Sequence, residues 1–420
     1  MNYNNLLIGR RIGLAVTASV SIYKALELIR LYAKAGAKVR VVMSEEAKKF
    51  VAPLMFESLS SHIVLHSGTE SWADENNHIG LAKWAEVFVV APATANTAAK
   101  LANAIADNLA LQTLLASAAP KVLAPAANTT MMEHPITKAN LKMLSLCGYD
   151  IVDSKVKTLA CGDVGNGALA NVEDIFLMSA RALLKDEFWE YRNVAVTGGG
   201  TMERIDDIRY IGNFSSGKMA DALATALYIK GADVRLLTSK TALEESALIK
   251  TIRFESTKEL SDRLSSLLEG ARLPKSTKPS LLTSEPVRHV SKEPYLFMAS
   301  AVGDFAPTQK VSGKIKKEGL DAFALELSKT DDIIKSLPKE NIKTVAFKAE
   351  MDGANALSAA KNALISKGVD AVCLNVLGGD INFGSDENEA LFVTQKDETK
   401  IEKADKLSVA FAILENAKRL

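Results

Sequence analysis

Apolar and polar positions alternate along this chain in blocks that predict short buried strands separated by helices. Arg11–Val16 is an apolar run that ends in the small residues Thr17-Ala18-Ser19, the pattern of a buried strand entering a turn. Ser21–Ala35 then sets Ile22, Ala25, Leu26, Leu28, Ile29 and Tyr32 at helical spacing and stops at Gly36. Lys38–Met43 is the next strand, and Ser44 is placed to cap a helix that starts at Glu45 with acidic residues in its first turn. A third strand is predicted over Trp84–Val90, a helix over Ala98–Asn103, a fourth strand over Lys121–Ala124 and a helix over Val172–Leu184. The polar, aromatic stretch Asp186–Arg192 interrupts the rhythm, which then starts again. Strands are predicted at Asn193–Val196, Asp233–Leu237, Tyr295–Ala299, Thr344–Phe347 and Ala371–Leu374, with a helix over Ala220–Ile229. This β-α-β alternation implies an α/β class with two doubly wound, mostly parallel sheets, one in residues 1–188 and one in 189–420. Ligands then collect at strand C-terminal ends, which in the first half are Thr17–Ser19, Ser44, Ala93–Asn96 and Pro125–Asn128. The Pro-, Ser- and Lys-rich stretch 273–294 is a surface insertion between core elements.

Composition narrows the class of partner. The 420 residues are 48% hydrophobic and 24% charged with a net charge of +1, ordinary for a globular chain. Near-neutrality argues against nucleic acid or an anionic membrane as the main partner. Three cysteines are too few for a disulfide framework and suit a reducing cytoplasm. The first apolar run is interrupted by Thr17, Ser19 and Ser21, so it predicts neither a signal peptide nor a membrane span. The Ala-rich region 91–127, broken by Lys100, Asp107, Pro120 and Lys121, predicts no span either.

Several stretches carry candidate chemistry. Thr197–Met219 runs from a strand through Gly198-Gly199-Gly200 and on to Gly212-x4-Gly217-Lys218 before a helix. It departs from a P-loop because Met219 replaces the metal-holding hydroxyl, and from a dinucleotide fingerprint because Glu203 replaces the third glycine. An anion- or substrate-binding loop and a plain capped turn both remain open. His78 is a catalytic candidate or a satisfied core or surface histidine. Asn128 follows Pro125-Ala126-Ala127 at a strand end, where an amide can hold a carboxylate or carbonyl. Cys161 lies in the glycine-rich Cys161-Gly162-Asp163-x-Gly165-x-Gly167, a setting that favours chemistry over packing, whereas Cys147 and Cys373 read as packing. Asp304 follows a strand and precedes Lys314-Ile315-Lys316-Lys317. Such a cluster is either solvated surface or a phosphate-neutralising group beside a carboxylate that orients metal or base. Asp332, Phe347 and Lys367 are further candidates.

Taken in order, these motifs resemble the bifunctional phosphopantothenoylcysteine decarboxylase/phosphopantothenate–cysteine ligase family of coenzyme A biosynthesis. The first half resembles the flavin-dependent cysteine decarboxylases through Val16–Lys24, His78–Trp84, Ala91–Asn96, Ala106–Leu109, Pro125–Met131 and Ala160–Gly167. The second resembles the ligase through Thr197–Thr201, Arg209–Met219, Ala301–Phe305, Lys314–Lys317, Asn375 and Phe383–Asn388. Ala18, Ala127, Met132, Gly303, Phe305 and Ala363 depart from the usual pattern, and Lys361 stands near the position where Ala363 replaces a lysine.

The resemblance implies a flavodoxin- or Rossmann-like flavoprotein domain followed by a Rossmann-like ligase domain. It implies FMN held by Ser19, Ser44, Thr94 and Asn96, with decarboxylation served by His78, Asn128 and Cys161. It implies ligation of 4′-phosphopantothenate to L-cysteine through an acyl-cytidylate, with CTP contacting Ala301, Asp304, Lys314, Asp332, Phe347 and Lys367. Mg²⁺ or Mn²⁺ would accompany the nucleotide; no metal ligand is assigned. Lys314 would stabilise the transferring phosphate and Asn213 would position the acyl intermediate. A cytoplasmic homo-oligomer is expected, with a trimeric flavin domain and a dimerising ligase domain.

Overall fold

A computed structural model of the chain describes residues 1–243, 246–271, 292–316, 323–350, 353–376 and 384–420. Most of the 273–294 insertion, together with Lys317 and Phe383, lies outside the described residues. The chain divides into two compact units, the first spanning Tyr3–Lys185 and the second beginning at Asp186.

The first unit holds a five-stranded parallel sheet in the spatial order Lys38–Met43, Arg11–Val16, Val87–Ala93, Lys121–Pro125, Tyr149–Ile151. Its central strand Val87–Ala93 is buried at every position, which follows from helices covering both faces of a parallel sheet. The third strand therefore begins later than its sequence suggests. Trp84 ends a helix, His78–Trp84, because Leu81 and Ala82 already face the core one turn earlier. Gly13 lies opposite Phe88, and the Phe88 ring occupies the space a side chain at Gly13 would need. Tyr23–Lys34 buries Ala25, Leu28, Ile29 and Tyr32, as its spacing predicts. The Tyr32 hydroxyl meets Ser179 Oγ at 2.7 Å, joining this helix to Val172–Leu184. Ser44 precedes a 3₁₀ turn, Glu45–Lys49, rather than an α-helix, and its hydroxyl does not cap it.

An antiparallel hairpin, Lys155–Thr158 with Val164–Ala168, stands outside this sheet. Two glycines let it lie against the loop after Pro125. A Cβ on Gly167 would fall 2.1 Å from the Ala127 carbonyl oxygen, and one on Gly165 would fall 2.3 Å from Thr129 Oγ1.

The second unit is built on an eight-stranded sheet. Its order is Lys250–Arg253, Asp233–Thr238, Asn193–Gly198, Tyr295–Met298, Lys343–Glu350, Ala371–Val376, Glu387–Thr394, Glu398–Asp405. The first six strands are parallel and follow the doubly wound order, with the chain reversing its winding between Asn193–Gly198 and Tyr295–Met298. The last two strands are antiparallel. The outermost carries Lys400, Glu402 and Lys403, charges that discourage edge-to-edge pairing. Helix Lys218–Ile229 is buried along nearly its whole length, packed on Asn193–Gly198 and against helix Lys406–Ala417. That explains why its sequence is apolar apart from the single stripe of Lys218, Asp221 and Thr225.

Candidate functional site

In the first unit, three of the four strand ends named from sequence line a cleft of about 590 Å³, through Ala18-Ser19, Thr94-Ala95 and Ala126–Asn128; Ser44 and Asn96 are not among its lining residues. Ser19, Thr94, Asn128 and Cys161 all line it. Each is held by local hydrogen bonding at a helix or turn start. Ser19 Oγ accepts the Ser21 N–H at 3.3 Å. Thr94 Oγ1 accepts the Thr97 N–H at 3.2 Å, and the Thr94 N–H donates to Thr17 Oγ1 at 3.1 Å. Asn96 is exposed in the first turn of Ala95–Ala102, and Ser44 ends the strand beside Arg11–Val16.

Asn128 is oriented by its own backbone role. As N-cap of Thr129–Glu133, its Oδ1 accepts the Thr130 N–H at 2.9 Å. The amide nitrogen therefore faces the cleft, where it lies 3.4 Å from Cys161 Sγ. Cys161 is exposed in the turn of the hairpin and donates to Asp163 Oδ2 at 3.3 Å. The Ala127 N–H donates to the Gly167 carbonyl at 3.1 Å, which fixes the hairpin across the residue before Asn128. A donor amide, a thiol and hydroxyls at strand ends can hold a carboxylate beside a proton donor.

His78 is not among the residues lining this cleft. Its Nδ1 lies 3.0 Å from Glu70 Oε1, and its ring meets Trp72 edge-on at 5.6 Å. Of the remaining cysteines, Cys147 is exposed at the end of Pro135–Leu146, which corrects its reading as packing. Cys373 is buried, and burial pushes its thiol up to about 12.

In the second unit the winding reversal opens a crevice, and two glycine-rich loops meet there. The Ala301 N–H donates to Gly199 O at 2.8 Å and the Thr201 N–H donates to Ala301 O at 3.1 Å. Asn213 donates through Nδ2 to Val302 O at 3.1 Å. The loop Gly212–Lys218 has a cleft on each side. One, of about 390 Å³, is lined by Asn213, Phe214, Tyr210 and Lys240. The other, of about 200 Å³, is lined by Ala301, Phe347, Ser215, Asn375 and Lys406.

Gly217 begins the helix at φ +73°, with Lys240 O where a Cβ would stand. Lys218 is engaged by Asp386 Oδ1 at 2.6 Å and Gly384 O at 2.7 Å, so the P-loop look-alike does not free a lysine for phosphate. Lys406 is a cation that sequence reasoning passed over. Burial first, then the nearby Lys218 ammonium, lower its pKa. Among the described residues, Asn375 Oδ1 is buried with no hydrogen-bond partner. Neither could be ranked from sequence, since strand-end polar residues are common and only the fold brings these to one wall.

The other nucleotide candidates are spread more widely. Asp332 caps Ile333–Ser336 and pairs with Lys367 at 3.4 Å. Asp304 is exposed, and its carbonyl accepts the Thr330 N–H at 2.9 Å. Lys314 is exposed on the segment beyond it. Lys361 pairs with Glu398 at 2.6 Å. Among the described residues, no group of three His, Cys, Asp or Glu side chains could hold a metal ion, and no helix is long and apolar enough to cross a membrane.

Comparison with known proteins gives these two sites their context. Residues 2–183 match the flavoprotein family, and residues 189–273 and 280–420 match the DNA/pantothenate metabolism flavoprotein C-terminal domain. The coenzyme A biosynthesis bifunctional protein CoaBC of Bacillus subtilis is 34% identical over 98% of this chain and 97% of its own length. The chain belongs to the bifunctional CoaBC family. The Haemophilus influenzae CoaBC protein is 33% identical over 96% of both chains. The crystal structure of the FMN-dependent cysteine decarboxylase SpaF is 30% identical over 42% of this chain and 95% of its own, with a TM-score of 0.36. As a CoaBC family member, the chain is a coenzyme A biosynthesis enzyme with a phosphopantothenoylcysteine decarboxylase unit and a phosphopantothenate–cysteine ligase unit.

Proposed function

We propose that the second unit activates 4′-phosphopantothenate with CTP and joins it to L-cysteine, and that the first unit decarboxylates the product with bound FMN. The orientation of Asn128 toward Cys161 across the strand-end cleft carries this reading. A carboxylate is a poor acylating group, so ligation begins when its oxygen attacks the α-phosphorus of CTP and pyrophosphate leaves. Lys314 offsets the negative charge on the oxygens of the transferring phosphate, and Mg²⁺ or Mn²⁺ would screen the triphosphate. Ala301 and Phe347 border the nucleotide's cleft, with Asp304, Asp332 and Lys367 assigned to its polar groups. Asn213 holds the acyl group while the cysteine amine displaces CMP.

The first unit's cleft fits a flavin mononucleotide. Hydroxyls of Ser19 and Thr94 stand at turn and helix starts suited to a phosphate, and Ala18, Ala95, Ala126 and Ala127 leave room for a flat ring. Ser44 and Asn96 complete the set of polar groups assigned to it. When bound, FMN supplies a reversible two-electron sink that makes loss of CO₂ from a thiol substrate accessible. Asn128 holds the departing carboxylate, His78 assists, and the Cys161 thiol returns a proton to the carbon that lost CO₂.

His78 lies outside the cleft of its own chain, so in this reading it reaches the site from a neighbouring copy in a trimer, with the second unit dimerising. The compartment is the cytoplasm. Purified protein should show a flavin spectrum and consume cysteine and phosphopantothenate only with nucleotide, CTP outcompeting ATP. Absence of either property refutes the corresponding half. Co-expressed His78→Asn and Cys161→Ser chains should regain, in mixed assemblies, formation of the finished product 4′-phosphopantetheine that each variant alone lacks; no recovery refutes the shared site.

A further inference from the structure

Lys314 is exposed, and its loop is fixed from elsewhere in the chain. Asp206 is fully buried, 0% exposed. Its Oδ1 accepts the N–H of Ile208 at 2.8 Å and of Arg209 at 2.6 Å, and its Oδ2 accepts the N–H of Ile315 at 3.2 Å. The next residue holds the other flank: Asp207 Oδ2 accepts the Gly313 N–H at 2.7 Å, and the Asp207 N–H donates to Gly313 O at 3.1 Å. Both neighbours of Lys314 are thus tied through their backbone to adjacent carboxylates. Two further bonds reinforce the tie, from Arg209 to Ile315 O at 2.7 Å and from the Val311 N–H to Ile205 O at 3.0 Å.

The same ribbon continues to the acyl site. Met202–Arg204 pairs antiparallel with Tyr210–Gly212, and the next residue is Asn213. A buried carboxylate loses its hydration and is tolerated only when its oxygens are satisfied. Burial raises the Asp206 pKa, but the N–H groups of Ile208, Arg209 and Ile315 outweigh it and hold the carboxyl below its usual range. An exposed loop needs no such group to keep its backbone satisfied, because water would serve. A buried anion bonded on both sides fixes position.

We infer that Asp206 is a positioning residue for ligation, which sets the Lys314 ammonium relative to Asn213 by anchoring Ile315, with Asp207 doing the same through Gly313. The inference rests on the reading of Lys314 as the group that stabilises the transferring phosphate. The test uses the full chain and measures nucleotide-dependent pyrophosphate release without cysteine, decarboxylation and thermal unfolding. Asp206→Asn should slow pyrophosphate release by about 10- to 100-fold, while decarboxylation by the same chain is unchanged. Asp207→Ala, on a half-exposed side chain, should slow it by about 3- to 10-fold without altering the unfolding midpoint. Asp206→Asn combined with Lys314→Gln should be no slower than Lys314→Gln alone, because a residue that acts through the lysine has nothing left to position. Multiplicative losses in the double variant, or unchanged release in both aspartate variants, overturn the inference. If Asp206→Asn does not fold, Asp207→Ala with and without Lys314→Gln gives the same decision. If Lys314→Gln itself releases pyrophosphate at the normal rate, the lysine reading fails, and the coupling with it.

Discussion

Replacing Gly167 by alanine separates the role of the hairpin from that of the cleft it covers. The new Cβ would stand 2.1 Å from the Ala127 carbonyl oxygen, where non-bonded carbon and oxygen come no closer than about 3 Å. The backbone cannot absorb this by rotating away, because Gly167 sits at φ +145° and its carbonyl already accepts the Ala127 N–H at 3.1 Å. The hairpin must therefore shift by about 1 Å relative to the loop that aims Asn128, a displacement that costs roughly 100-fold when it separates acting groups. Strain from the glycine-only conformation adds about 1–3 kcal/mol of destabilisation. Decarboxylation of phosphopantothenoylcysteine should fall by about that factor, while ligation by the same polypeptide serves as the internal control. Gly9→Ala supplies the strain control, since Gly9 is also left-handed, at φ +73°, but has open space around its missing Cβ. It should lower the unfolding midpoint without loss of either activity. Decarboxylation within twofold of normal in a folded Gly167→Ala protein would refute the view that the hairpin sets the Asn128–Cys161 distance.

Other substitutions test separate links. Gly13→Ala places a Cβ 2.3 Å from the Phe88 ring and should destabilise the first unit by about 1–3 kcal/mol; Phe88→Leu in the same chain should restore part of the loss, as read by denaturant unfolding. Cys161→Ser should allow CO₂ release but block completion of product, leaving an unsaturated thiol detectable by mass spectrometry, and normal turnover would exclude the thiol as proton donor. Glu45 is held down to about 2 by hydrogen bonds from Lys48 and Ser67. A depressed carboxylate stabilises the fold above its unfolded pKa and loses that contribution as pH falls toward the folded value. Glu45→Gln should therefore cost no more than about 1 kcal/mol at neutral pH, and the difference from wild type should shrink between pH 4.5 and about 2.

What could be read in advance follows from how each feature is encoded. Strands buried on both faces leave continuous apolar runs, so Arg11–Val16, Lys38–Met43 and five of the six parallel strands of the second unit are legible, and with them the strand ends where Ser19, Thr94 and Asn128 gather; the sixth, the edge strand Lys250–Arg253, buries little and leaves no such run. Elements that bury little leave no such trace. The hairpin that carries Cys161 is Lys-Val-Lys-Thr paired with Val-Gly-Asn-Gly-Ala, which has neither period nor bulk, and its place is revealed by the close contacts of Gly167 with Ala127 and of Gly165 with Thr129. The antiparallel pair Glu387–Thr394 and Glu398–Asp405 was missed for a different reason: charges interleave its apolar positions at the sheet edge. Cys147 shows the converse error, since apolar neighbours in sequence did not bury it. Long-range side-chain bonds are the least legible of all. Asp332 meets Lys367, and Asp206 meets Ile315, across intervals with no periodic relation. Sequence pattern records which face an element buries. It does not record which distant backbone N–H a loop carboxylate will accept, and the geometry of Lys314 depends on that second kind of fact.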